Sequence, residues 1–252
     1  MEHIHRFRMI PVVVALSFAT AFGGAQANPP ASPTSNTPSP PPSNAKLDGN
    51  LFYEILLGEV TTRTGDPGAG YALILDAARR SRSEQLYQRA ADIALQSRSG
   101  EYALAAAKAW QEDHPQSREA NRYVLQILIA LNKVGETAGP LRQFIEQAPL
   151  PNRVGILSAV PQMYGRIADK AAAVSAVKEA FKGELENRST GAAAWISLGR
   201  LQLAADDKAA SLQSLAKSKA MDPAYEGQAR LALELMDEGI SAAEPFVQQY
   251  LE

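Results

Sequence analysis

His114 is the side chain of this sequence best suited to catalysis or metal binding, since the two other histidines, His3 and His5, stand at the extreme amino terminus. It lies in the segment EDHP, beside Glu112 and Asp113. A structural metal site needs further histidine or cysteine ligands, and none accompanies His114. A histidine at the end of a helix is more typical of a capping or solvated side chain, because a cation suits the helix C-terminus. We predict no metal site here.

Two other chemical motifs bear on catalysis. No GxSxG segment is present, so the sequence lacks the nucleophile elbow of serine hydrolases. The segment GDPGAG at 65–70 is rich in glycine, but it lacks the Lys-Ser/Thr pair and the preceding strand of a phosphate-binding loop. The sequence therefore predicts a non-enzymatic protein, with no catalytic residue and no cofactor.

Composition also limits the class of partner. The 252 residues carry a formal net charge of −2, with acidic and basic residues interspersed, and no cysteine. A nucleic-acid partner is therefore not expected, because no basic stripe is available to neutralise a phosphate backbone. Without disulfides, the stability of the fold must come from packing alone.

The segment 1–27 has the three-part pattern of a secretory signal peptide. Arg6 and Arg8 precede an apolar run, and Ala25-Gln26-Ala27 supplies the small residues of a cleavage site. The alternative is a membrane-spanning helix, but a span requires about 20 residues. The apolar run is shorter than this, and Pro11 interrupts it. We predict a signal peptide over 1–27, no transmembrane segment in the mature chain, and a bacterial periplasmic location. Secretion from the cell stays open.

Residues 28–46 form a proline- and serine-rich linker in this interpretation. The stretch NPPASPTSNTPSPPPSNA has no apolar periodicity, and its prolines favour extended polyproline II. The alternative is a proline-rich ligand for a partner's groove, but flanking specificity residues are missing. A spacer is the expected role.

From residue 47 to 252 the amino-acid sequence is typical of helices throughout. In RYVLQILIALNK the apolar residues Val124, Ile127, Leu128 and Leu131 follow the spacing that lines one face of a helix. No stretch of alternating β-branched residues is long enough for a strand. The fold class is predicted to be all-α.

The helical part contains an internal repeat. The positions of Pro115 and Pro149 differ by 34, and each proline follows a large aromatic residue by five positions, Trp110 and Phe144. Later in the chain, the tryptophan of WISLGR is followed by a proline 28 positions farther on. These spacings resemble the tetratricopeptide repeat, a helix-turn-helix unit of about 34 residues. The residues that fit its packing positions are Gly58, Ala103, Trp110, Pro115, Phe144, Pro149, Trp195, Leu198, Gly199 and Pro223.

The resemblance implies an α-solenoid, a right-handed superhelix of stacked helical hairpins. Small residues at positions 8 and 20 of each unit let the helix axes approach, large residues fill the wedge between them, and the proline ends the second helix. The units expected are 51–83, 84–117, 118–151, 154–187 and 192–225, with a sixth begun at 226. The alternative is a different α-solenoid, since most units match only loosely.

Three irregularities carry expectations of their own. The GDPGAG segment blurs the second helix of the first unit, and Pro161 should kink the first helix of the fourth. The sixth unit lacks a closing proline, so we expect Leu231, Leu235, Met236, Phe246 and Tyr250 to be partly exposed. An uncapped end of this kind fits self-association, or a shortened member of a longer exported family.

The implied function is binding of a protein or peptide of the cell envelope in the concave groove of the superhelix. Helix A of each unit lines such a groove at positions 2, 5, 9, 12 and 13, and its polar side chains suit amide hydrogen bonds and Arg–carboxylate pairs. The predicted groove residues are Gln88, Asp92, Gln96, Arg122, Gln126, Ser158, Gln162 and Arg200. Alternatively these are merely solvated helix faces. Asp92 stands where relatives that clamp a C-terminal carboxylate carry an amide.

Overall fold

The computed structural model describes residues 48–251, with side chains described through residue 248. The predicted signal peptide at 1–27 and the linker at 28–46 lie outside these residues. Along 48–251 the chain forms only helices and turns, without a strand. In this part of the protein, every helix is too short or too polar to span a bilayer.

The described residues form thirteen α-helices and two short 3-10 helices, Val134–Glu136 and Ser241–Ala243. The α-helices in chain order are α1 (Gly49–Arg63), α2 (Pro67–Ser81), α3 (Glu84–Gln96), α4 (Gly100–Asp113), α5 (Arg118–Ala130), α6 (Ala138–Glu146), α7 (Leu150–Met163), α8 (Lys170–Ala180), α9 (Lys182–Leu185), α10 (Gly191–Ala204), α11 (Lys208–Met221), α12 (Gly227–Asp237) and α13 (Glu244–Leu251).

Five pairs of consecutive helices pack as hairpins: α1 with α2, α3 with α4, α5 with α6, α10 with α11, and α12 with α13. In the fourth unit, α7 packs chiefly on α10, and α8 packs on α6 and α10. Between hairpins, the second helix of one unit contacts the first helix of the next, as α2 contacts α3 and α11 contacts α12. The predicted all-α solenoid and its resemblance to tetratricopeptide repeats are confirmed.

Aspartate side chains start three of the second helices. Asp66, Asp169 and Asp207 each accept a hydrogen bond from the backbone N–H of an alanine three residues later, at 2.8–3.0 Å. Each bond satisfies one of the amide donors that a helix N-terminus leaves unpaired. The chain therefore turns into the second helix at the same point of the first, fourth and fifth units.

The turns between paired helices share a left-handed residue. Gly65, Arg98, Asn132, Asp206 and Gly239 all have φ between 57° and 104°. They occupy equivalent places in five hairpins, yet three of them carry a β-carbon that disfavours this conformation. The packing of the two helices in each hairpin thus imposes the positive φ of the turn even where the residue is not glycine.

The small residues predicted at the packing positions lie at close helix approaches. A β-carbon on Gly199 would stand 2.7 Å from Leu231 Cδ2 and 3.2 Å from Ser214 Cβ, and one on Gly58 would stand 2.9 Å from Ile74. Ala103 and Leu198 are fully buried. Both glycines are therefore required where a first helix meets a second helix.

The aromatic residues predicted at packing positions differ in burial, and the predicted prolines lie at helix ends. Trp110 is buried, whereas Phe144 and Trp195 are half-buried, with the Trp195 indole N–H donating to the Leu185 carbonyl at 3.1 Å. The three predicted prolines are exposed beside helix ends: Pro115 follows α4, Pro149 precedes α7 and Pro223 follows α11.

The glycine-rich segment of the first unit does not disrupt the helix α2. Gly65 makes the turn, Asp66 caps the helix, and Pro67 occupies its first position. A β-carbon on Gly70 would collide with Thr62 Oγ1 on α1. The expectation was wrong because the segment builds a tight hairpin: each of its special residues serves the turn or the helix contact.

The sixth unit also differs from expectation. α12 and α13 form a hairpin, and Leu231 and Leu235 are fully buried, in a cluster with Ile196, Leu215 and Ala243. Met236 and Phe246 are half-buried, and the side chain of Tyr250 lies outside the described ones. The predicted exposure of the two leucines was wrong because α10, α11 and the short Ser241–Ala243 helix cover them. Self-association through the C-terminal helices stays a prediction, although these two leucines do not offer it an exposed apolar surface.

In the fourth unit, α7 continues through Pro161 and ends two residues later, at Met163. Pro161 therefore lies in the last turn of this helix, and the expected kink stays a prediction, since a proline acts on the turn before it.

Candidate functional site

A groove runs along the first helices of the last three units. α7, α10 and α12 border a cavity of about 850 Å³. Three of the predicted groove residues lie in it: Ser158, Gln162 and Arg200. The full lining, called the C-terminal groove below, is Ser158, Pro161, Gln162, Arg200, Leu203, Ala204, Arg230, Glu234, Asp237 and Glu238.

Two guanidinium groups share one carboxylate in this groove. Arg200 makes a two-point ion pair with Glu234, with Nε–Oε2 at 3.1 Å and an N–O distance of 2.9 Å to Oε1. Arg230 also approaches Glu234 Oε1, at 3.3 Å, and its side chain is 72% exposed. Because each guanidinium has five N–H donors, Glu234 leaves several of them free for a bound acceptor.

The other end of the groove is acidic. Asp237 and Glu238 follow at the end of α12, and Glu238 pairs with Lys208 at 2.9 Å. Asp237 is exposed. The groove therefore offers positive charge at Arg230 and negative charge at Asp237, two turns farther along the same helix.

Polar and apolar groups alternate on the α7 wall. The Ser158 hydroxyl donates to the Val154 carbonyl at 2.8 Å and lies 3.4 Å from the Tyr225 hydroxyl. Gln162 is exposed, so its amide can both donate and accept. Pro161 and the half-buried Leu203 supply apolar contact between these groups.

Four of the remaining predicted groove residues, Gln88, Asp92, Arg122 and Gln126, form a second cluster on α3 and α5. The Tyr123 hydroxyl donates to Asp92 Oδ1 at 3.0 Å and accepts from the Gln88 amide at 3.0 Å. Arg122 stacks over the Tyr123 ring, with 5.3 Å from Cζ to the centroid, and bonds to Glu119. Burial raises the pKa of Tyr123, and the charge of Asp92 adds to this effect.

This α3/α5 cluster is mostly satisfied internally. Gln126 accepts a long bond of 3.5 Å from Arg122, and Gln96 is exposed at the C-terminal end of α3. Neither α3 nor α5 contributes a residue to the C-terminal groove. The structure thus places three of the predicted residues in the C-terminal groove and four in the α3/α5 cluster, while Gln96 is exposed at the end of α3.

The sequence pattern did not indicate Tyr123, the three α12 residues of the groove (Arg230, Glu234 and Asp237), or Glu238 directly after this helix. Tyr123 holds the sixth position of its unit, which is not among the expected groove positions, yet its hydroxyl reaches the polar face. The residues of α12 belong to a unit without a closing proline, so the repeat pattern did not indicate a groove there. The 34-residue repeat could have indicated these residues, because Glu234 stands 34 positions after Arg200 and so holds the equivalent position of the next unit.

His114 lies apart from both sites. Its Nε2 is 2.9 Å from the Arg82 carbonyl oxygen, and its ring meets the edge of Tyr87, with the centroids 6.4 Å apart. Its backbone N–H closes α4 by donating to the Trp110 carbonyl. The geometry is that of a residue joining two helix ends. Within residues 48–251, no group of three or more His, Cys, Asp or Glu side chains could hold a metal ion.

Comparison with known proteins gives similarity only among solved structures. No protein-family model matches the chain, and no curated protein sequence matches it. MamA of Desulfovibrio magneticus RS-1 is 15% identical, over 67% of this chain and 93% of that chain, with a TM-score of 0.36. PilW, described as a widely conserved type IV pilus biogenesis factor, is 14% identical, over 81% and 90%, with a TM-score of 0.36.

A third solved structure is a thermophilic tetratricopeptide repeat protein of Thermus thermophilus. It is 16% identical, over 74% of this chain and 99% of that chain, with a TM-score of 0.33. At these identities the likeness concerns the helical fold alone.

Proposed function

We propose that this chain is a non-enzymatic interaction scaffold of the bacterial cell envelope, which binds an extended segment of a partner protein in the C-terminal groove. The observation that carries the proposal is the cavity between α7, α10 and α12, where Ser158, Gln162 and Arg200 meet Arg230 and Glu234. An extended peptide needs hydrogen-bond partners for its backbone and pockets for alternate side chains. The groove offers both.

The charges of the groove indicate the chemistry of the segment. Arg230 favours an acidic side chain, because charge-assisted bonds from a guanidinium to a carboxylate are strong. Asp237 favours a lysine or arginine. The seven helical positions between them span about 11 Å, which an extended peptide covers in roughly three residues. Because side chains alternate along an extended peptide, the preferred segment carries an acidic and a basic residue about two to four positions apart on one face. A small apolar residue of the segment faces Leu203.

The envelope part of the proposal rests on the amino-terminal pattern. A chain with that pattern is exported, and its scaffold then meets partners outside the cytoplasm. The test is mass spectrometry of the protein recovered from the periplasmic fraction of cells that express the full chain. We expect a mature N-terminus at Asn28. An intact N-terminus in the cytoplasmic fraction contradicts export.

Groove binding is tested by cross-linking in living cells, followed by purification of the tagged protein with its neighbours. The groove variant is Gln162→Ala/Arg230→Glu, since Gln162 and Arg230 are both exposed and a change there leaves the core intact. The matched control is Arg188→Glu, an exposed arginine outside the groove. We expect at least one neighbour retained by wild type and control to be lost by the groove variant. Identical sets for all three proteins overturn the assignment.

A further inference from the structure

One face of α1 is apolar and exposed. Phe52, Tyr53, Leu56, Leu57 and Val60 follow the spacing of a single helix face, and their exposed fractions are 54, 63, 49, 38 and 47%. Among the side chains described at 48–248, five of the nine large apolar ones with this degree of exposure thus belong to one helix. Scattered exposed apolar residues are ordinary, but a contiguous patch of this kind marks an interaction surface.

The repeat explains why the face is apolar. Tyr53, Leu57 and Val60 hold the third, seventh and tenth positions of the first unit. In later units these positions are buried or half-buried. In α5 and α10 all six are buried: Ala120, Val124, Ile127, Ala194, Leu198 and Leu201. Within residues 48–251, α1 packs chiefly on α2, and no second helix of an earlier unit covers it. The exposed face of α1 therefore has the apolar composition of a helix face that packs against another helix.

The surroundings of the face restrict what that helix is. The linker sequence at 28–46 offers no apolar periodicity with which to cover it. The two glutamates of α1 are paired within the chain, Glu54 with Arg80 and Glu59 with Arg89, so they add little net charge beside the face. The other charges of this helix stand at its two ends, with Asp48 at the N-cap and the exposed Arg63 in the last turn.

We propose that α1 pairs antiparallel with α1 of a second copy of this chain, about a two-fold axis that passes beside Leu56. In this register Phe52 faces Val60 of the second copy, and Leu56 faces its own equivalent. Arg63 then approaches Asp48 of the second copy at each end, and each helix N-terminus meets a C-terminus, which the helix dipoles also favour. A parallel pair would set Asp48 against Asp48, so charge selects the antiparallel arrangement.

The size of the face predicts a weak dimer. An aromatic side chain offers roughly 150–250 Å² of surface, so five half-exposed apolar side chains present roughly 400 Å² in each copy. The pair buries roughly 800 Å², and flanking residues bring the total near 1,000 Å², the lower limit for a specific interface. A single helix pair of this area gives an isologous dimer that dissociates on dilution.

The experiment is sedimentation velocity over a wide range of concentration, on protein purified after export of the full chain. We expect the mass to rise from one copy to two with concentration. Leu56→Glu places two carboxylates face to face at the axis and abolishes the rise. The matched control is Leu233→Glu on α12, because Leu56 and Leu233 are 49% and 50% exposed. We expect the control to dimerise as wild type does.

Two further variants test the orientation of the pair. Because the chain has no cysteine, Leu56→Cys introduces a single thiol, and a short thiol-specific cross-linker should join two copies. Leu233→Cys should stay uncoupled. Arg63→Glu weakens the dimer, since it brings two acids together at each end, and Asp48→Lys in the same chain restores it. Circular dichroism verifies that every variant keeps its helical content.

Three results overturn the proposal. The first is a wild-type protein that stays monomeric at all concentrations. This holds also where a variant that lacks residues 28–47 forms a dimer, since that segment would then cover the face in the full chain. The second is a dimer that survives Leu56→Glu but is lost in Leu233→Glu, since this places the interface near α12. The third is a protein that stays monomeric and in which Leu56→Glu instead removes one of the neighbouring proteins cross-linked to the wild-type chain in cells. The apolar face of α1 then binds that other protein.

Discussion

Arg200 and Glu234 stand one repeat apart, 34 residues along the chain, and form a two-point ion pair between α10 and α12. Both residues occupy the ninth position of their units. In earlier units the same position carries Glu59, Asp92, Gln126 and Gln162. The stacking of hairpins thus turns one position of the repeat into a row of polar groups, and the C-terminal groove lies at the end of that row.

This ion pair should contribute little to stability. The two side chains are 28% and 32% exposed, and pairs in such surroundings contribute about 0.5–1 kcal/mol. A double-mutant cycle with Arg200→Ala, Glu234→Ala and both together, followed by urea unfolding, measures the coupling free energy. A coupling far above that range would show that the pair holds the two units together, and would contradict a role in binding.

The repeat offset was enough to predict the class, the hairpins and the close approaches at Gly58 and Gly199. It was not enough for the site. Tyr123 joins Gln88 to Asp92 across two helices, and the groove depends on where α12 stands relative to α7. Such relations arise from the angle between successive units, which a spacing pattern does not specify. The burial of Leu231 could not be predicted for a related reason, since it depends on how α10, α11 and the short Ser241–Ala243 helix are placed around α12.

Gly199→Ala should destabilise the protein. Its β-carbon would stand 2.7 Å from Leu231 Cδ2 and 3.2 Å from Ser214 Cβ, so the junction of α10, α11 and α12 must spread. Overpacking of this kind costs about 1–3 kcal/mol. Chemical denaturation measures the loss.

The matched control for this substitution is Gly155→Ala. Gly155 also lies inside a helix, α7, but nothing stands within 4 Å of its added β-carbon. There the substitution should stabilise the protein by about 0.5–1 kcal/mol, because alanine favours the helix. If the two variants changed stability equally, the close approach at Gly199 would have no energetic weight.

Ser211→Ala should stabilise the protein. Ser211 is fully buried in α11, at the position where the repeat favours alanine, and its hydroxyl oxygen finds no hydrogen-bond partner within the described residues. An unsatisfied buried hydroxyl costs about 1–3 kcal/mol, so its removal should raise the midpoint of thermal unfolding. Ser214→Ala is the control, because its hydroxyl donates to the buried Gln202 at 2.6 Å and its loss should destabilise. A midpoint that falls in both variants argues against the prediction.

Arg98→Gly should also stabilise the protein. Arg98 has φ of 57° in the turn between α3 and α4, where the equivalent turns of the first and last units carry Gly65 and Gly239. A left-handed conformation costs a residue with a β-carbon about 1–2 kcal/mol, and glycine avoids this cost. Arg98→Ala keeps the β-carbon and removes only the charged side chain, so its unfolding midpoint should stay near that of wild type. Equal gains in both variants would trace the effect to charge instead of backbone strain.

Glu84 should make the stability of the protein depend on pH in the acid range. Its carboxylate accepts hydrogen bonds from the Ser117 hydroxyl and, at 2.9 Å, from the Trp110 indole N–H, and it links α3 to the end of α4 and the start of α5. The hydrogen bond from Ser117, followed by that from Trp110, lowers the pKa of Glu84 against the opposing effect of burial. The carboxylate is thus held ionised in the folded state.

A carboxyl group whose pKa is lower in the folded than in the unfolded state stabilises the fold above the unfolded pKa, near 4.5, and this contribution disappears as the pH falls through the folded pKa. Glu84→Gln lacks this titration. The difference in free energy of unfolding between wild type and Glu84→Gln should therefore be greatest at neutral pH and shrink steadily below pH 4.5. Urea unfolding at a series of pH values measures it. Other acids titrate in both proteins and cancel in the difference, so parallel stability curves would mean that Ser117 and Trp110 do not favour the ionised form.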